Sequence, residues 1–206
     1  MRRDDCTPSQ LLELAPVDQA HVYITHKTAP VTDHQESELR ERFVAANSAD
    51  EWNTARDVVA EARDRLGPHN ALWMIWEALI LIAHDEFDAA YKQLLLALPF
   101  SSGDRQRAAI LVNLSLVELK RGDYLKTATW CRLAIENEPL NQAAWINFLI
   151  ALIGLGDKAR LLHAVERLTT IFDVSKADQL RYHLANDPDL AEIRSLPSLQ
   201  RVLRPM

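Results

Sequence analysis

The stretch Gly122-Asp-Tyr-Leu-Lys-Thr-Ala-Thr-Trp-Cys-Arg-Leu-Ala-Ile-Glu-Asn-Glu-Pro139 decides the fold of this chain. This stretch predicts a helix that begins after a Gly-Asp turn and ends before a proline, because proline cannot continue a helix. A second Gly-Asp pair, Gly156-Asp157, follows 34 residues after the first. A 34-residue period in an all-helical pattern predicts pairs of helices that repeat along the chain.

The residues around these turns resemble the tetratricopeptide repeat (TPR) family. Its pattern asks for Trp, Leu, Gly and Tyr on the first helix of a unit, then Ala, Phe and a closing Pro on the second. In the unit 108–141, Leu114 occupies the Leu position and Pro139 the closing Pro position. Ala134 occupies the second of two small-residue positions on the second helix. Other residues replace the rest of the pattern: Leu111, Ser115, Glu118, Thr127 and Cys131. The unit 142–174 has Trp145 in the Trp position, and the units 71–104 and 36–70 match moderately.

The resemblance implies an all-α fold, a right-handed α-solenoid of antiparallel helix pairs with about four units over residues 36–174. We expect its helices near 36–47, 51–66, 71–84, 87–98, 105–120, 124–137, 142–154 and 158–172. Residues 1–35 are predicted to form an N-terminal arm that is partly extended or disordered. Residues 175–206 are predicted to form capping helices like those of bacterial repeat arrays, because a last repeat otherwise exposes an apolar face.

Composition and charge limit the functional classes. The formal net charge is −6 and no basic stripe is visible, so we expect no nucleic-acid partner. The longest apolar stretches, 71–83 and 143–155, are shorter than the ~20 residues of a bilayer span, so we expect no membrane insertion. No signal-peptide core is visible, and Cys6 and Cys131 suggest no disulfide framework. We therefore predict a cytoplasmic protein in which Cys131 is a buried, reduced thiol.

Local catalytic signatures are missing from the sequence. It has no phosphate loop, nucleophile elbow, dinucleotide fingerprint or zinc motif, so we predict no enzyme activity, no catalytic residue, no metal and no cofactor. His21, His26 and His34 cluster near the N-terminus, but without Cys or paired carboxylates they are better interpreted as solvated histidines. His163 and Glu166 lie one helical turn apart, as an ordinary exposed pair does.

A binding groove follows from the resemblance, because the first helix of each TPR unit lines the concave surface. Carried over to this chain, that surface gives ten peptide-binding candidates: Leu72, Ile75, Trp76, Leu79, Val112, Asn113, Leu116, Ile146, Asn147 and Ile150. Asn113 and Asn147 are 34 residues apart, so we expect them to point the same way and to hydrogen-bond the backbone of an extended peptide. The other candidates are apolar, which favours a hydrophobic peptide or helix as ligand.

The function predicted from the sequence is a non-enzymatic scaffold or adaptor that binds an apolar segment of a partner protein. Two alternatives stay open. One is a secretion chaperone similar to the type III translocator chaperones of this repeat family. The other is a self-associating protein, either a homodimer or a chain whose groove is filled by its own residues 11–31.

Overall fold

The computed structural model describes residues 33–172 and 178–203, and all regular structure in these residues is helical. The α-helices are α1 Asp33–Ser48, α2 Trp52–Leu66, α3 Ala71–Ala83, α4 Phe87–Ala97, α5 Asp104–Lys120, α6 Tyr124–Asn137, α7 Gln142–Gly154, α8 Lys158–Ile171, α9 Asp178–Asn186 and α10 Pro197–Leu203. Two 3₁₀ segments, Leu98–Phe100 and Pro188–Ser195, lie between them. The all-α prediction is confirmed for the described residues.

The helices α1 to α8 lie where the sequence predicts them, with every boundary within three residues of the expected one. Helix α1 begins at Asp33, so residues 33–35, which the sequence assigns to the arm, are helical. The remainder of the predicted arm, residues 1–32, lies outside the described residues, and Cys6, His21 and His26 lie there with it.

One kind of turn joins the two helices of each pair. The second residue after the first helix has a left-handed backbone, with φ of 56° at Asp50, 60° at Asp85, 75° at Gly122 and 65° at Gly156. The following N–H then donates to the carbonyl five residues earlier, over 2.9–3.1 Å: Glu51 to Ala46, Glu86 to Leu81, Asp123 to Glu118 and Asp157 to Leu152. These are Schellman motifs, which satisfy carbonyls at a helix end. The turn geometry therefore repeats four times, although only two of the turns contain Gly-Asp.

Adding a methyl group at Gly122 tests whether the left-handed backbone of this turn requires glycine. A Cβ at Gly122 would meet no heavy atom within 4 Å, so Gly122→Ala introduces backbone strain without a clash. We expect a loss of about 1–2 kcal/mol in the free energy of unfolding, the usual cost of a left-handed residue that is not glycine. Urea unfolding followed by circular dichroism measures it. Asp85→Gly, the opposite change at an equivalent turn, is the control and should cost less than Gly122→Ala. Equal costs for the two variants would contradict the left-handed assignment.

The chain divides into two compact units at Gln106–Arg107. Unit 1, described for residues 33–106, contains α1 to α4 with a core of aliphatic and aromatic side chains. The Phe43 ring stacks on Trp76 at 4.8 Å between centroids and 7° between planes. Trp73 Nε1 donates to the carbonyl of Gly67 over 2.9 Å, which ties the start of α3 to the end of α2. Buried aromatic side chains thus connect α1, α2 and α3 within this unit.

Unit 2, described for residues 107–172 and 178–203, is built around Trp145. Trp145 is 1% exposed, and its Nε1 donates to the carbonyl of Pro139 over 2.9 Å. Cys131 is a free, buried thiol, as predicted from the sequence. Burial raises the pKa of the Cys131 thiol to about 12, against the opposing effect of a hydrogen bond with Ser115.

The C-terminal segment packs on α7 and α8 through α9, the second 3₁₀ segment and α10. Its buried apolar residues are Leu180, Leu184, Leu190, Ile193 and Leu199. The backbone N–H of Leu180 donates to Gln142 Oε1 over 2.9 Å, and Arg194 Nε donates to the carbonyl of Leu184 over 3.1 Å. These contacts bury apolar side chains of the C-terminal segment against α7 and α8.

Candidate functional site

The ten predicted binding residues differ in their accessibility. Four are buried, namely Leu72, Ile75, Trp76 and Ile146. Six are half-buried: Leu79, Val112, Asn113, Leu116, Asn147 and Ile150. Trp76, the tryptophan that the sequence favours as a ligand contact, is only 4% exposed because Phe43 covers its ring. A partner could touch the four buried residues only if the side chains that cover them moved.

The predicted residues also fall in different units. Leu72, Ile75, Trp76 and Leu79 belong to α3 in unit 1, and the other six belong to α5 and α7 in unit 2. Within unit 2, a hydrogen bond 3.0 Å long between Asn147 Nδ2 and Ser115 Oγ connects α7 to α5. We call the surface formed by Val112, Asn113, Leu116, Ile146, Asn147 and Ile150 the α5/α7 face.

Ser115 is the residue that sequence reasoning missed. In the sequence it was only the replacement for a family glycine, but in the structure its side chain is buried beneath the α5/α7 face. Its Oγ donates to the carbonyl of Val112 over 2.6 Å and accepts the hydrogen bond from Asn147. Nothing local in the sequence indicates this contact, because the two residues come from different helix pairs.

The two asparagines of the face have different partners. Asn113 Nδ2 donates to the carbonyl of Ala109 in its own helix, over 3.0 Å, whereas Asn147 reaches across to Ser115. Neither amide oxygen accepts a hydrogen bond from the described residues. Among those residues the one fully buried side-chain polar atom without a partner is Trp130 Nε1, so neither asparagine oxygen is fully buried. The face therefore offers two hydrogen-bond acceptors on a largely apolar surface.

Charge is nearly absent from this surface. Helix α7 contains no ionisable side chain, and neither does the segment 112–117 of α5. The next residue, Glu118, is buried and pairs with Arg121 at 3.1 Å and with Lys126 at 3.9 Å. Because its carboxylate is matched by two cations, it adds little net charge to the face. An apolar ligand could contact the face without stripping water from a charge.

Unit 1 has a shallow depression on its surface. Its lining residues are Asp50, Glu51, Trp52, Asn53, Thr54, Arg56 and His84. Trp52 and His84 meet edge to face, with 5.6 Å between ring centroids. The lining mixes carboxylates with a guanidinium and an imidazole, so its electrostatics select no single ligand class.

Other polar groups on the described surface show no convergent chemistry. His163 and Glu166 are both exposed on α8. Across residues 33–172 and 178–203, no group of three or more His, Cys, Asp or Glu side chains is arranged to hold a metal ion. The same stretches contain no helix with the length and apolar character that crossing a bilayer requires.

Comparison with known proteins adds no relative: no model of a known protein family matches the chain, and no curated protein matches it. The resemblance to tetratricopeptide repeats consequently rests on the sequence pattern alone.

Proposed function

We propose that this chain is a tetratricopeptide-like scaffold that holds an apolar segment of a partner protein against the α5/α7 face and catalyses no reaction itself. In this proposal the four helix pairs are units of a right-handed α-solenoid. The four Schellman turns support it, since the same hydrogen bonds recur at Asp50, Asp85, Gly122 and Gly156. A recurring unit is what a repeat array requires.

The character of the α5/α7 face is the observation that carries the binding proposal. Val112, Leu116 and Ile150 are half-buried, so each still exposes apolar surface that a ligand could cover. Covering such surface contributes roughly 25 cal/mol per Å². The two asparagine oxygens can fix the orientation of the ligand, while the surrounding surface supplies most of the affinity.

A charge placed on the face tests this function. Dodecapeptides displayed on phage are selected on the full-length chain, and the best peptide is then measured by calorimetry against Leu116→Asp. The expected loss is at least about 100-fold, because burying an unpaired carboxylate costs several kcal/mol. Leu125→Asp is the matched control: Leu125 belongs to α6 of the same unit and is 52% exposed, so a charge there should leave affinity within about twofold.

Two results would contradict the proposal. One is a selected peptide that binds Leu116→Asp as tightly as the unchanged chain. The other is a loss of binding in Leu125→Asp that equals the loss in Leu116→Asp. Thermal melts of both variants confirm that folding is retained before affinities are compared.

The alternatives from the sequence stay predictions. A secretion chaperone would use the same apolar face for a translocator segment, and a homodimer would use it for a second copy. Occlusion by residues 11–31 concerns a segment that lies outside the described residues. Light scattering over a range of concentrations separates self-association from partner binding. Cytoplasmic location likewise stays a prediction.

A further inference from the structure

We draw no further inference here: the strongest candidate, the shallow depression on unit 1 where Trp52 meets His84 edge to face, mixes carboxylates with a guanidinium and an imidazole, and nothing in the structure shows which ligand would fill it.

Discussion

Trp145→Ala should lower the free energy of unfolding by about 3–5 kcal/mol, the range for removing a large aromatic side chain from a core. Trp145 is among the largest fully buried side chains of the described residues. The substitution opens a cavity in unit 2 and leaves the carbonyl of Pro139 without the indole N–H that it accepts over 2.9 Å. It also removes the ring over which the Arg167 guanidinium lies, at 5.9 Å from the centroid.

Two milder substitutions separate these contributions. Trp145→Phe keeps an aromatic ring but loses the hydrogen bond to Pro139. Trp130 is also buried, at 3% exposure, but its Nε1 has no partner among the described residues, so Trp130→Phe breaks no hydrogen bond there. We expect Trp145→Phe to cost about 1 kcal/mol more than Trp130→Phe. Urea unfolding monitored by circular dichroism gives all three values. A loss below 1 kcal/mol in Trp145→Ala would be inconsistent with the packing of unit 2.

Phe43→Ala should destabilise unit 1 by a similar amount, about 3–5 kcal/mol. The Phe43 ring is buried and stacks on Trp76, a contact that contributes ~0.5–1.5 kcal/mol beyond the area it buries. Removing it exposes Trp76 to water, so the tryptophan emission should shift to longer wavelength. Chemical unfolding measures the stability, and emission spectra of the folded variant measure the exposure.

The neighbouring residue provides the control for Phe43. Val44 is 54% exposed on the same helix, so Val44→Ala should change stability by less than about 0.5 kcal/mol. An equal and small effect of Phe43→Ala and Val44→Ala would show that α1 does not cover Trp76. In that case Trp76 would return as a ligand contact.

The helices could be predicted from the sequence because their ends are encoded locally. Gly122 and Gly156 supply the left-handed residue, and the side chains of Asp123 and Asp157 cap the next helices by accepting from Lys126 N and Arg160 N. Asp50 and Asp85 take the same left-handed conformation without a glycine. Aspartate tolerates positive φ better than most residues, but the presence of an aspartate does not by itself predict a left-handed backbone.

The second 3₁₀ segment could not be told from an α-helix by its apolar spacing. Leu190, Ile193, Leu196 and Leu199 are spaced by three residues, and the segment Pro188–Ser195 covers the first two. Leu199, however, belongs to the α-helix α10, so the same spacing continues across both kinds of helix.

The candidate site could be predicted only in outline. Position within a repeat indicated α5 and α7, but burial depends on which side chain arrives from another helix. Phe43 covers Trp76 from α1, and Ser115 accepts a hydrogen bond from Asn147, which lies 32 residues later in the sequence. Such pairings are set by tertiary packing, which a residue's neighbours in sequence do not specify.

The most direct test of the central claim is a chemical-shift map of the full-length, ¹⁵N-labelled chain titrated with the selected dodecapeptide. The account predicts that the largest changes occur in the backbone amides of Val112, Asn113, Leu116, Asn147 and Ile150 and in the two asparagine side-chain amides. Changes confined to other surfaces of unit 2, such as Leu125 on α6 or Tyr182 on α9, would contradict it.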